Sequence, residues 1–259
     1  MKRRCGPYVG VTGFTSQREV ETALALVPYE STHRFMVGVL MNSRTLEGRP
    51  STRSPCRYPK RGEIKEIFTS TDDRVLRLVH YNTENPDLLL SELVEITELL
   101  GTCFDGFQLN MAWPSVEQVR SYRELNPDKT LVLQIGSRAL KAVISVEHLV
   151  ARVGAYVPMI DAILFDESGG TGKILNPVRS VEHLLALEFQ YSRLGLGVAG
   201  GLSPDNPWLL DQLFRIFRKL SVDAEDRLRT PLPEDALYLP SVMRFIESMY
   251  KSLGRLNEK

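Results

Sequence analysis

A set of polar side chains stands at or just after the ends of short apolar runs: Thr12, Asn42, His80, Asn82, Gln108, Asn110, Gln134, Asp166, Glu167 and Asp223. Burying an amide or a carboxyl group costs free energy unless it is hydrogen-bonded, so an all-apolar run would be cheaper at each place. Side chains of these types can orient a small polar substrate, and the carboxyls can give and take protons. Asp166 is the leading candidate for an acid or base, because it ends a run and a glycine-rich stretch follows it. His80 lies inside the apolar run 76–81. If Asn82 points inward, period-two alternation sends His80 the same way. The plain alternative is a core histidine satisfied by hydrogen bonds. His148 and His183 fall on helical patterns and are expected at the surface.

Two glycine clusters suit an anion. Asp166-Glu167-Ser168-Gly169-Gly170-Thr171-Gly172-Lys173 is not a nucleotide-binding P-loop, because Ile174 stands where Ser or Thr is required. Ala199-Gly200-Gly201-Leu202-Ser203-Pro204 lies between a strand pattern and a helical pattern. Glycine lets backbone N–H groups approach an anion, and a following helix N-terminus favours negative charge. Either cluster could also be no more than a tight turn.

The elements that must hold these residues alternate regularly. Strands are expected at 8–11, 35–40, 76–81, 106–109, 130–135, 162–165, 196–199 and 220–223. Helical patterns follow, among them 16–26, 87–100, 115–125, 178–191, 204–219 and 236–253. Ser16 with Glu19 is a capping-box pair, and Ser203-Pro204 reads as a cap followed by a first-turn proline. Eight strand–helix units predict a parallel sheet closed into a single α/β (β/α)8 TIM barrel over residues 1–259, a length such a fold uses entirely. An open doubly wound sheet is the alternative. Residues 41–61, with three prolines and many arginines, have no helical period and predict a long loop after strand two, on the face where barrels carry their sites. Residues 225–234 form a second irregular stretch after strand eight.

Lys+Arg and Asp+Glu both number 32, so the net charge is zero. That argues against a nucleic-acid partner, whose binding rests on neutralised phosphates. No apolar run approaches a membrane span, and the basic start lacks the apolar segment of a signal peptide. Cys5, Cys56 and Cys103 are odd in number and scattered. They predict a reducing, cytoplasmic setting and no metal site.

Together the residues resemble phosphoribosylanthranilate isomerase, the family of the Amadori rearrangement in tryptophan biosynthesis. Val9-Gly10-Val11-Thr12-Gly13-Phe14-Thr15 resembles its first-strand motif, and Ser54-Pro55-Cys56-Arg57-Tyr58 its second-loop Ser-x-Arg-Tyr element. Asn82 matches the asparagine ending strand three, and Gln108-Leu109-Asn110 resembles the Gln-Leu-His of strand four. Leu164-Phe165-Asp166 with Gly169-Gly170-Thr171-Gly172-Lys173 resembles the strand-six aspartate and its loop. Ala199-Gly200-Gly201-Leu202-Ser203-Pro204-Asp205-Asn206 is close to the seventh-strand phosphate loop. These last two motifs are the specific ones.

The resemblance implies a general acid at Asp166 and an arginine, Arg57, on a substrate carboxylate. The departures are as informative. Thr12 holds the place of the family's basic cysteine and Gly10 that of its lysine; a hydroxyl is a far poorer base than a thiol. Asn110 replaces the histidine. Strand eight, Ser-Ser-Gly-Val-Glu in the family, reads Val222-Asp223-Ala224-Glu225-Asp226-Arg227. Its carboxylates would repel a phosphate unless Arg227 or Arg229 offsets them.

The expectation is therefore an isomerase-like barrel enzyme acting by acid/base chemistry, without a cofactor, on a small, phosphorylated, sugar-type substrate. Asp166 is the expected catalytic residue, with His80 or Glu167 as the second group. Thr12, Arg57, Asn82, Gln108, Asn110 and Gln134 would bind substrate, and Gly170, Gly172, Gly200, Gly201 and Arg227 the phosphate. The alternatives are a true phosphoribosylanthranilate isomerase with a substituted base and a non-catalytic ligand-binding barrel.

Overall fold

The computed structural model describes residues 5–52, 55–168, 174 and 176–257. Eight strands run in parallel: β1 (Tyr8–Thr12), β2 (Arg34–Asn42), β3 (Val75–Asn82), β4 (Gly106–Leu109), β5 (Thr130–Gly136), β6 (Ala162–Asp166), β7 (Gly195–Ala199) and β8 (Leu220–Ala224). Each pairs with the next, and β8 pairs with β1, so the sheet is a closed barrel. Around and between them lie α1 (Gln17–Leu24), α2 (Ser43–Leu46), α3 (Ile64–Ile67), α4 (Leu89–Leu100), α5 (Val116–Leu125), α6 (Ser137–Lys141), α7 (Val146–Gly154), α8 (Pro177–Gln190), α9 (Trp208–Ile216) and α10 (Leu239–Asn257). The expected (β/α)8 architecture is the one found.

Strand alternation divides the core in two. Val9, Val11, Phe35, Val37, Val79, Tyr81, Phe107, Leu131, Leu133, Ile163, Phe165, Val198 and Val222 belong to the large apolar cluster shared with the helices. Tyr8, Met36, Leu76, Leu78, Val132, Ala162, Leu164 and Ala199 fill the barrel interior as a separate cluster. The interior is thus packed, and its polar side chains concentrate in the carboxyl-terminal layer. Half-buried Arg–Asp pairs tie the other end together. Arg77 of β3 grips Asp105, just before β4, with Nε and Nη2 at 3.0 and 2.9 Å. Arg123 of α5 meets Asp161, just before β6, at 2.6 Å, and Asp161 also accepts the Leu131 N–H.

Several local expectations are corrected. The capping box at Ser16 forms, with Glu19 Oε2 accepting the Ser16 N–H at 3.0 Å, but the seventh helix does not begin at Ser203-Pro204. There the Asn206 side chain accepts the Ser203 N–H at 2.8 Å and donates to the Gly201 carbonyl at 2.8 Å. This side-chain competition closes a turn, so α9 starts only at Trp208. Residues 41–61 are not structureless either. Met41 and Asn42 complete β2, and Asn42 caps the short helix α2 through a reciprocal bond with Thr45. His183 is buried rather than superficial, its ring stacked on Phe165. Among the described residues no helix is long and apolar enough to cross a membrane.

Candidate active site

The inward-facing ends of the strands bring Thr12, His80, Gln108, Gln134, Asp166 and Asp223 to one mouth of the barrel, all buried. The sheet register puts Asp166, Ala199 and Asp223 at one level across β6, β7 and β8. Space for this layer comes from missing side chains. A Cβ on Gly38 would lie 2.4 Å from Thr12 Oγ1, and one on Gly10 would lie 3.0 Å from Asp223 Oδ1 and 2.6 Å from the end of Met36. The glycine at position 10 therefore makes room for the carboxyl on β8.

The polar groups form one connected network. Thr12 Oγ1 donates to Asp223 Oδ2 and Oδ1, at 2.9 and 3.1 Å. Gln108 Nε2 faces three acceptors: His80 Nδ1 and Gln134 Oε1, both at 3.0 Å, and Asp223 Oδ2 at 3.2 Å. An amide has two hydrogens, so the longest contact is the weakest of the three. Gln108 Oε1 is buried without a hydrogen-bond partner among the described residues. Gln134 in turn donates to Asp166 Oδ2 at 2.9 Å. Asp166 Oδ1 accepts from the Ser168 N–H at 3.0 Å and hydroxyl at 2.5 Å. Because Gln108 donates to Nδ1, the neutral His80 ring carries its proton on Nε2; this tautomer follows from the contact.

Burial sets the charge states. It pushes Asp223 up to about 7, with Glu225 and Asp166 adding to the rise and the Thr12 and Gln108 bonds opposing it. Burial likewise raises Glu225 to about 7, against the pull of Arg229 and Arg57. His80 is lowered to about 4 by burial, so at neutral pH it is an uncharged hydrogen-bond donor rather than an acid.

Two cavities open on this layer. One of about 130 Å³ is lined by His80, Asn110, Gln134, Arg138, Asp166 and Glu225, among others. The other, of about 40 Å³, lies between Gln108, Asp166, Asp223, Arg227 and the Gly200-Gly201 turn. Gly200 and Gly201 have φ of 108° and 60°, which side chains other than glycine's rarely adopt. The turn passes so close that a Cβ on Gly200 would lie 3.1 Å from Asp166 Oδ1. A larger cavity of about 590 Å³, lined by Cys5, His33, Phe214 and Arg218, contains none of the network residues.

Thus Thr12, His80, Gln108, Gln134 and Asp166 come together, while Asn110, Gly200, Gly201 and Arg227 line the cavities beside them. Asn82 ends β3 half-buried, in register with Asn42, and Glu167 is half-buried on the chain beyond Asp166. Gly170 and Gly172 lie outside the described residues. Arg57 stands at the rim, where Nε and Nη2 clasp Asp235 at 2.7 and 3.0 Å. Its Nη1 reaches Asp226 at 2.6 Å and Glu225 at 3.0 Å. These carboxylates keep the guanidinium charged against the cost of burial. Sequence reasoning placed Asp223 at a strand end yet gave it no role; its alternation with Ser221 on β8 was the available signal.

No family model matches the chain, and no curated protein sequence matches it. Its fold is shared with solved structures. Phosphoribosyl anthranilate isomerase from Thermus thermophilus aligns over 96% of this chain and 99% of its own, at 15% identity and a TM-score of 0.62. The enzyme of that name from Thermotoga maritima aligns over 95% and 99%, at 18% identity and a TM-score of 0.61. Tryptophan synthase subunit alpha from Legionella pneumophila aligns over 98% and 94%, at 12% identity and a TM-score of 0.61. What these likenesses establish is the barrel.

Proposed function

We propose that this protein is an acid/base enzyme that moves a proton on a small, phosphorylated, sugar-type substrate seated at the carboxyl-terminal mouth of the barrel. The observation that carries this reading is the convergence of six polar side chains on one mouth, with carboxyls there that ionise near neutrality. A carboxyl that exchanges its proton near the working pH is the most effective general acid or base. Burial of Asp223 without a matching cation among the described residues is a costly arrangement that function, rather than stability, explains.

Asp166 is the acid in this scheme. The Gln134 amide and Ser168 fix its orientation at the edge of both cavities. His80, neutral with its proton on Nε2, polarises a substrate oxygen by hydrogen bonding. The Gly200-Gly201 turn and Arg227 receive the phosphate; Arg57 offsets the carboxylates of Glu225 and Asp226 that would otherwise repel it.

The order of the motifs and the fold shared over nearly the whole chain favour a second reading, phosphoribosylanthranilate isomerase itself. Its difficulty is that Thr12 is bonded to Asp223 and Gly10 has no cation to offer. The test is proton exchange. Wild-type protein in D2O is incubated with aldose and ketose phosphates and with phosphoribosylanthranilate, and loss of the substrate C–H signal is followed by NMR. Exchange with at least one sugar phosphate is expected. Turnover of phosphoribosylanthranilate, with growth of a tryptophan auxotroph lacking the isomerase, would select the second reading. Folded protein that exchanges none of them contradicts both.

A further inference from the structure

We propose that Asp223 is the base that works opposite Asp166, a role that rests on the acid/base reading above. The ionised carboxylate takes a proton from the substrate carbon next to a carbonyl. The C–H electron pair moves into a carbon–carbon double bond, and the carbonyl oxygen, receiving the displaced π pair, takes a proton from Asp166. One proton is taken and one is given, so the pair of carboxyls ends with the protonation exchanged.

Four observations carry the assignment. First, Asp223 and Asp166 are level in the sheet, separated by Ala199, and line the same small cavity with His80. Second, Asp223 is buried, yet among the described residues its bonds are to the neutral donors Thr12 and Gln108. Structural carboxylates elsewhere in this chain, Asp105 and Asp161, are clasped by arginine instead. Third, Gly10 leaves the opening that the Asp223 carboxyl occupies, next to the threonine that holds it. Fourth, Gln134 donates to Asp166 and accepts from Gln108, whose longest contact reaches Asp223, so the two carboxyls belong to one side-chain network. An ionisation near neutrality accords with such a base. Thr12 is then a positioning residue, with its hydroxyl aimed at the base.

The experiment is the D2O exchange reaction with whichever sugar phosphate the wild type accepts, run as a pH profile of kcat/KM for wild type, Asp223→Asn and Thr12→Val, with folding checked by circular dichroism. Asp223→Asn should lower exchange by about 100-fold or more at every pH, the usual scale for removing a general base. Thr12→Val is the second, milder variant, exchanging a hydroxyl for a methyl of similar size. It removes a bond that favours the ionised carboxylate, so the acidic limb of the wild-type profile, expected near 7, should move to higher pH. Exchange by folded Asp223→Asn within about threefold of wild type overturns the assignment while leaving the enzyme reading intact. A Thr12→Val profile superimposable on wild type also overturns it. Absence of any exchange by wild type removes the enzyme reading, and the base with it.

Discussion

At the amino-terminal end of the barrel, Asp105 is clasped by Arg77 and Asp161 by Arg123; at the carboxyl-terminal end, Asp223 is held by a threonine and a glutamine, and Asp166 by a glutamine and a serine. Among the described residues, Asp105 and Asp161 are half-buried and paired with arginine, whereas Asp223 is buried and bonded to neutral donors. Where a matching guanidinium accompanies the charge, the pair fixes the start of a strand, and its ionisation is of no further use. At Asp223, where the donors are neutral, burial raises the carboxyl to about 7, so its proton can come and go near neutral pH, and the cost of holding it there falls on the rest of the fold. The rim joins the two patterns. Arg57, Glu225, Asp226 and Asp235 fasten residue 57 to the segment after β8, beside the exchangeable carboxyls.

The largest effect that would break this contrast is at the amino-terminal end. Asp161→Asn removes the carboxylate partner of the half-buried Arg123 guanidinium, which keeps its bonds to the Met159 and Lys129 carbonyls, and weakens the bond to the Leu131 N–H, so it should destabilise the protein by about 2 kcal/mol in urea denaturation. Proton exchange by the folded fraction should be unchanged. A loss of exchange without a loss of stability would put chemistry at the wrong end.

A smaller effect sharpens the contrast through pH. A carboxyl that holds its proton up to about 7 in the fold, against about 4 when unfolded, stabilises the folded state fully below about 4 and loses that support as pH rises from there through 7. His80 acts in the other direction: its contribution is lost as pH falls from about 6.5 towards its folded value of about 4. Between pH 8 and 6.5 the carboxyls therefore act nearly alone, and the melting temperature should rise as pH is lowered across that range. Asp223→Asn should flatten the rise, leaving the part due to Glu225. The smallest effect belongs to the exposed pair Arg244–Asp205, where Arg244→Ala should change stability by less than about 1 kcal/mol.

The barrel was legible because period-two apolar runs and amphipathic stretches alternate eight times, and that pattern depends on local sequence alone. The polar layer was legible for the same reason, since Thr12, His80, Gln108, Gln134 and Asp166 stand at the inward phase of their strands. Asp223 stood in the same phase but was read by the sign of its charge, as an obstacle to phosphate. Its neutral donors, Thr12 and Gln108, lie 211 and 115 residues away, and such contacts leave no local trace. The ion pairs of Arg57 with partners 168 to 178 residues distant were hidden for the same reason. The start of α9 was misplaced because Ser203-Pro204 has the composition of a cap, whereas the side chain of Asn206 decides the local geometry.

The most direct test of the contrast is to measure kcat and melting temperature together for Asp166→Asn. The substitution keeps the shape of the side chain but removes a proton that can be transferred. A catalytic Asp166 predicts a fall in kcat of about 100-fold or more with the melting temperature within a few degrees of wild type. A melting temperature lowered by more than about 5 °C with kcat largely kept would show that Asp166 braces the mouth, as Asp161 braces the other end, and would contradict the account.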